Sequence, residues 1–415
     1  MLCRATTFKG TYMTRTALVV GASVGGVRTA QELRRQGWCG GIVLVGAEPD
    51  LPYDKPPLSK QLLAGSWQPE QARLLDSAAA RQDDIELLLG SPAVALDAAG
   101  QEVALADGKR LPYDELVLAT GAAARQSPWQ PESGLYLLRT LSDALALRAA
   151  LAQARPVVVV GGGFLGAEVA STAQASGCEV TIVDPVPVPM GRTLGDDIGR
   201  LFTDLQHAHG VQTRLGHGVE QVTGRQGDLQ VVLTDGETLR ASTVVVAIGA
   251  VPNDRWLAGS GLLIDDGVVC DAAGLALGAA AVHAVGDVAR WDNPRRGRAV
   301  RVEHWTSAVA QAVHVAHRLT HPDDTAPVLP VEYVWTNQHD WQAQVVGVPM
   351  DGDRHVVIGD PTGSPARFGV AYADGDRLCG ALLVNWPKGM LLARRLLTAG
   401  EAFPAAVDQL LAVRR

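Results

Sequence analysis

Apolar positions recur in the same order twice along the chain. The run Ala17 to Val20 leads into a glycine-rich turn, a stretch from Val27 to Gln36 with helical spacing of its apolar residues, and a second apolar run, Ile42 to Val45. Short apolar runs bounded by glycines predict strands, so this order reads as a β-α-β unit. The order returns 140 residues later: Val157 to Val160, glycines from Gly161 to Gly166, a helix ending at Ala175 and a strand Val180 to Val183. Two such units at this separation predict a duplicated nucleotide-binding architecture, not a short-period repeat. Each unit closes alike. Asp107-Gly108 predicts a hairpin ahead of the strand Glu115 to Ala119, which stops at Thr120-Gly121; Asp235-Gly236 predicts another ahead of Val244 to Ile248, which stops at Gly249. Beyond His321-Pro322 a proline-punctuated stretch to Pro330 reads as a linker, followed by short strands and a final leucine-rich helix. The expected fold class is α/β, with two Rossmann-like dinucleotide-binding domains and a small α+β C-terminal domain.

Length and composition agree with this. A chain of 415 residues allows two or three domains. With 47% hydrophobic and 19% charged residues it can bury substantial cores, and 45 glycines suit many tight strand-to-helix turns. A formal charge of -8 argues against nucleic acid as a partner. No apolar run reaches the roughly 20 residues of a membrane span, so a cytoplasmic protein is expected. Residues 1–15 lack a secretory apolar core and read as a disordered leader, with Met13 as an alternative start. Cys3, Cys39, Cys178, Cys270 and Cys379 form no CxxC or CxxxxC pair, so neither a disulfide framework nor a vicinal redox disulfide is written here.

In the second unit Gly161, Gly163 and Gly166 stand in GxGxxG spacing between a strand and a helix. Glycine lets the backbone turn tightly and approach a pyrophosphate, whose charge then meets a helix N-terminus. Asp184 ends the following strand, 23 residues after Gly161, where a carboxylate accepts from a ribose 2'-hydroxyl and repels a 2'-phosphate. With prolines and no base directly after it, NADH is favoured over NADPH. In the first unit Gly21, Gly25 and Gly26 surround Ser23, which occupies the middle glycine place; Glu48, 27 residues after Gly21, supplies the ribose carboxylate.

The segments LPYDKPPLSK (Leu51 to Lys60), LATG (Leu118 to Gly121), HAVGDVARW (His283 to Trp291) and VWTNQHDWQAQVVG (Val334 to Gly347) together resemble the FAD-dependent ferredoxin reductases of bacterial cytochrome P450 and ring-hydroxylating dioxygenase systems. The likeness runs from about Thr16 to the C-terminal helix, in that family's motif order. It implies a glutathione-reductase-like flavoprotein architecture: an FAD domain of residues 16–125 and 250–325, an NAD domain of 126–249, and a C-terminal interface domain of 326–415. FAD would then be held by Gly21, Ser23, Gly25, Gly26 and Glu48, with Lys60 near the flavin, Ala93 meeting the adenine through its backbone, and Arg139 pairing with the cofactor. Asp287 would bond the ribityl chain, although it can also cap a following helix. Trp305 would meet the flavin pyrimidine through its backbone, and Trp335 would pack beside the isoalloxazine. Lys55, Ala119, Thr120, Gly121 and Gly286 belong to the same motifs and, with Gly249 at the end of the strand Val244 to Ile248, complete the expected cofactor set. In the NADH unit, Glu168 would contact the nicotinamide amide and Phe164 take the nicotinamide's place when it is absent, with Leu165 beside them. Lys60, Glu168 and Trp335 are the expected catalytic positions. The chain departs from the family at Ser23, at Lys55 where arginine is common, and in Asp271 to Ala281, which lacks an Arg-Thr-Ser run.

The resemblance implies hydride transfer from NADH to flavin and single-electron release to an iron-sulfur ferredoxin. No acid-base pair or metal is required, and without a cysteine pair there is no disulfide relay. An acidic ferredoxin needs a local basic surface on a chain of this net charge; Arg295, Arg296, Arg298 and Arg301, with Arg394 and Arg395, are candidates. His314, His317 and His321 share a helix face but lack a completing carboxylate or cysteine, so they are read as surface histidines. Two other functions stay open: a stand-alone NADH oxidase or small-molecule reductase, and a nucleotide-sensing protein without turnover.

Overall fold

The computed structural model describes residues 15–324 and 331–414. The leader with Cys3 and Met13, and the linker residues 325–330, lie outside the described residues. The chain divides into two compact units: residues 15–54, 70–123 and 250–324 form one, and residues 55–69, 124–249 and 331–414 the other.

The first unit is built on a five-stranded, all-parallel sheet in the order Val282–Ala284, Glu115–Leu118, Thr16–Val20, Gly41–Val45, Glu86–Leu88. Central parallel strands are covered on both faces, which is why Ala17 to Val20 is uninterruptedly apolar and buried. The helix Val24–Arg35 follows the first strand and packs against the helix Trp305–Thr320; Val27, Ala30 and Leu33 of one and Val315, Ala316 and Leu319 of the other enter the same core. The Val24 helix starts three residues before its apolar periodicity, because Gly25 and Gly26 carry no side chain to register it. An antiparallel meander, Ala93–Asp97, Glu102–Leu105 and Arg110–Pro112, turns at Asp107-Gly108 as expected.

The second unit repeats this plan. Its parallel sheet runs Gln212–Leu215, Val180–Asp184, Val157–Val160, Thr243–Val246, Leu135–Tyr136, and its meander Val219–Arg225, Asp228–Leu233, Thr238–Ala241 turns at Asp235-Gly236. The strand expected to reach Ile248 stops at Val246, and Gly249 follows with φ +104°. The same unit contains a five-stranded antiparallel sheet, Tyr333–Gln338, Trp341–Gly347, Arg377–Val384, Arg367–Asp374, Arg354–Asp360. Its side chains alternate with period two. Val345, Phe368, Val370 and Leu382 face a core shared with Ile198, Phe202 and Leu205 of the helix Asp196–Ala208, whereas Val346, Ala371 and Leu383 face the terminal helices. Those helices are two, Pro387–Ala399 and Phe403–Arg414, where one was expected, with Gly400 in the left-handed region between them.

One close approach recurs in both units. A Cβ on Gly26 would overlap the carbonyl oxygen of Gly21, and a Cβ on Gly166 would overlap that of Gly161. A Cβ on Gly163 would meet no atom of the chain within 4 Å. Gly26→Ala and Gly166→Ala are therefore expected to cost about 3 kcal/mol or more, and Gly163→Ala to stay within about 1 kcal/mol, as read by urea unfolding.

Candidate functional site

In the first unit the glycine turn delivers the chain from the strand Thr16–Val20 into a helix whose start is left open. Ser23 is the N-cap, yet its side chain makes no capping bond, and no acid lies in the first turn. Gly21 has φ +119°, and any Cβ there would overlap Ala119 O, so the LATG turn is pressed against the glycine turn. That second turn is pinned by Asn253: Thr120 Oγ1 donates to Asn253 O (2.9 Å) and Asn253 Nδ2 donates back to Thr120 O (2.8 Å). Glu48, half-buried beyond the second strand, accepts from the Tyr53 hydroxyl. Trp305 begins the long helix, and its indole Nε1 donates to Asp54 Oδ1 at 2.7 Å. Gly286 N donates to Gln311 Oε1 at 2.8 Å. Asp287 sits in a single 3-10 turn, Gly286–Val288, and a strand follows it, so there is no helix for it to cap. Ala93 opens the meander, half-buried.

In the second unit the helix Phe164–Ala175 starts the same way, with Gly163 as N-cap, no side-chain cap and no acid in the first turn. Asp184 accepts from Gly162 N through Oδ2 (2.7 Å) and from Val186 N through Oδ1 (2.8 Å). Two uncapped helix starts, each after a glycine turn and each with a carboxylate at or just beyond the end of the next strand, fit the pyrophosphate and adenosine ribose of two adenine dinucleotides.

The structure brings Lys60 and Glu168 together. Glu168 is 6% exposed and Lys60 13% in their side chains, and Lys60 Nζ donates to Glu168 Oε2 at 2.6 Å. Ser59 Oγ donates to the same oxygen (2.6 Å), and Asn337 N reaches Oε1 at 3.3 Å. Thr172 Oγ1 binds Ser59 O at 2.8 Å, tying the segment Pro56–Ser59 to the same helix. Lys55 Nζ donates to Arg139 O at 3.3 Å, just ahead of a capping box in which Thr140 and Asp143 start the helix Leu141–Leu151. Phe164 packs at the edge of the sheet core, Leu165 is exposed, and Trp335 stacks with Tyr333 at 5.9 Å between ring centres. Gly249 O accepts from Arg125 N. Ser59, Asn337, Tyr53, Asp54, Asn253 and Gln311 were not anticipated as site residues. The first, third and fourth lie inside the LPYDKPPLSK motif, where their polar side chains were a signal.

Among the arginines, Arg295, Arg296 and Arg298 lie at the tip of the hairpin Ala289–Asn293/Arg298–Arg301, with Arg295 and Arg298 exposed. Arg301 does not belong with them: its side chain is 12% exposed and pairs with Asp266 and Glu303, so its charge is spent within the hairpin's base. Arg394 and Arg395 are exposed on the helix Pro387–Ala399. His314 is buried, corrected from the surface reading, while His317 bonds Gln36 and Asp324 and His321 bonds Thr320. No metal-ligand group of three occurs among the described residues, and Cys178, Cys270 and Cys379 are free thiols. None of the described helices is long and apolar enough to cross a membrane.

Residues 15–312 match the pyridine nucleotide-disulphide oxidoreductase family, and residues 333–410 match the reductase C-terminal family. The chain belongs to the pyridine nucleotide-disulphide oxidoreductase family. It is similar to the anthranilate 1,2-dioxygenase system ferredoxin–NAD(+) reductase component of Burkholderia cepacia, at 37% identity over 92% of this chain and 94% of that one. It is also similar to putidaredoxin reductase of Pseudomonas putida, at 33% identity over 92% and 91% of the two chains. The solved covalent putidaredoxin reductase–putidaredoxin complex matches with a TM-score of 0.89 at 30% identity, covering 96% of this chain and 98% of that one.

Lys60→Met leaves the Glu168 charge without its counter-ion and is expected to cost about 3 kcal/mol or more; adding Glu168→Met is expected to restore more than half of that, in a urea-unfolding cycle. Burial pushes His283 and His304 from 6.5 down to about 4, and burial with the neighbouring His209 does the same to His339. The unfolded chain therefore binds more protons between those values, and stability is expected to fall as pH drops from about 6.5 towards 4. Each histidine contributes at most about 1.4 kcal/mol per pH unit, and stability should be insensitive to these groups above pH 7.

Proposed function

We propose that the chain is an FAD-containing, NADH-dependent ferredoxin reductase serving a P450 or ring-hydroxylating dioxygenase. The observation that carries this is the duplication: two open helix starts, each with its own ribose carboxylate, in a chain similar to ferredoxin–NAD(+) reductase components along nearly its whole length. Bound FAD supplies a centre that accepts a hydride from NADH and gives up electrons one at a time.

In this reading residues 16–125 and 250–325 hold FAD, residues 126–249 hold NADH, and residues 326–415 form an interface domain. The amides at the start of the Val24 helix receive one pyrophosphate and those of the Phe164 helix the other, while Glu48 and Asp184 accept from the riboses. Asp184 arrives already bonded to two backbone donors, so its charge is fixed where a 2'-phosphate would have to sit, favouring NADH. Lys60, held by Glu168, places a cation beside the flavin; Glu168 orients the nicotinamide amide, and Trp335 limits water at the ring. Trp305 meets the flavin through its backbone, with Asp54 fixing its side chain. The reaction needs orientation and charge placement, and no side-chain acid or base. Arg295, Arg296 and Arg298 are the proposed docking surface for an acidic iron-sulfur ferredoxin, in the cytoplasm.

The test is spectral and kinetic. The purified protein is expected to be yellow, to bleach anaerobically with NADH much faster than with NADPH, and to turn over slowly with oxygen alone. Paired Arg295→Glu and Arg296→Glu substitutions should slow ferredoxin reduction at least fivefold at low salt and leave ferricyanide reduction unchanged. Rapid oxygen turnover without ferredoxin would instead identify an oxidase, and nucleotide binding without bleaching a sensor.

A further inference from the structure

The helix Phe164–Ala175 is gripped along one face. Glu168, Ser171 and Thr172 stand at i, i+3 and i+4, and each bonds outside the helix: Glu168 Oε1 to Asn337 N (3.3 Å), Ser171 Oγ to His339 N (2.6 Å), and Thr172 Oγ1 to Ser59 O (2.8 Å). Asn337 and His339 flank Gln338 at the turn between the strands Tyr333–Gln338 and Trp341–Gly347. Position 339 thus decides where the Asn337 amide and the Trp335 strand meet the helix.

His339 has φ +51°, a left-handed conformation that most side chains avoid. A residue held there costs about 1 kcal/mol or more and persists only where its surroundings fix it. Here they do. Gln206 and Gln338 are buried amides whose bonds run in one direction: Gln338 Nε2 donates to Thr336 Oγ1 (3.3 Å), and Gln206 Nε2 donates to Gln338 Oε1 (3.1 Å). Gln206 Oε1 is left to accept, so His339, 2.9 Å away, is the Nε2–H tautomer. The imidazole lies flat on His209, with ring centres 4.1 Å apart and planes 8° from parallel. His209 bonds Leu205 O through Nδ1 and places Nε2 3.6 Å from Asp340. His209 and Asp340 are the ionisable groups that act on His339, and burial keeps it neutral near pH 7.

We propose that His339 is a positioning residue for nicotinamide binding: its left-handed turn and its bond to Gln206 hold Asn337 against Glu168 and so aim the Glu168 carboxylate. This rests on the proposed role of Glu168 at the nicotinamide. The geometry concerns only the nicotinamide end, because Asp184 and the glycine turn are fixed by separate bonds.

The experiment compares two probes on the FAD-loaded protein by titration calorimetry: the non-reducing analogue tetrahydro-NADH, which carries the nicotinamide-like ring, and ADP-ribose, which does not. His339→Ala should weaken the analogue about tenfold and ADP-ribose less than twofold. His339→Asn, which tolerates the left-handed turn but gives up the imidazole bond to Gln206, should lie between wild type and His339→Ala for the analogue and within twofold of wild type for ADP-ribose. Ser171→Ala, which removes only the acceptor for His339 N, should weaken the analogue selectively even if His339→Ala does not fold. Unchanged analogue affinity in His339→Ala and Ser171→Ala, or equal weakening of both probes, overturns the proposal. Wild-type protein that binds neither probe overturns the nicotinamide reading itself.

Discussion

Two carbonyl oxygens, those of Gly21 and Gly161, stand where a side chain five residues later would have to begin. That contact lets each helix start directly at the end of the first strand, so its opening amides project from the sheet's carboxyl edge. A larger residue at Gly26 or Gly166 would push the helix away and change where those amides point. The neighbouring turns depend on it as well: Gly21 is pressed against Ala119 O and Gly161 against Ala247 O, so the strand that closes each unit ends beside the glycine turn. The placement of an anion-receiving helix start, and of the LATG turn next to it, thus follows from the absence of a Cβ.

A different constraint organises the second unit. A carboxylate as buried as that of Glu168 is costly unless it is paired and bonded. Its partners come from two stretches far from it in sequence: Ser59 and Lys60 on one side, and Asn337 on the other. Satisfying one acid therefore draws residues 55–69 and the strand Tyr333–Gln338 onto the Phe164 helix, and all three lie in one compact unit.

What could be read in advance divides along this line. The strand–turn–helix units, the Asp-Gly hairpins and the acids Glu48 and Asp184 are local patterns, and each appears where its residues indicate. Lys60 and Glu168 were each singled out from the sequence, but their pairing was not, because it spans 108 positions. Arg301 was misread for the same reason: one of its carboxylates, Asp266, lies 35 residues upstream, and only folding brings it close. Asn337 acts through its backbone N–H, which every residue type except proline possesses, so no side-chain signal marked it. Gln206 and Gln338 gave no clue either, since a glutamine committed to a buried bond looks the same in sequence as one on the surface.

The two glycine turns share a backbone plan yet treat their carboxylates differently, and the difference bears on selectivity. Glu48 has a longer side chain and accepts from a tyrosine hydroxyl, a partner that can rotate. Asp184 is one methylene shorter, and it accepts from the amide of Gly162, within the glycine turn itself, and from Val186. Its position is thereby tied to the glycine turn, so in the proposed reading the distance between ribose acceptor and phosphate cradle is set before a nucleotide arrives. Preorganisation of this kind lowers the ordering cost of binding. It also removes the freedom by which a carboxylate swings aside for a second phosphate. With Pro185 and Val186 next in the chain and no adjacent base to neutralise a second phosphate, the proposed assignment of Asp184 to the NADH ribose would make discrimination rest on a fixed negative charge rather than on the shape of the surrounding loop.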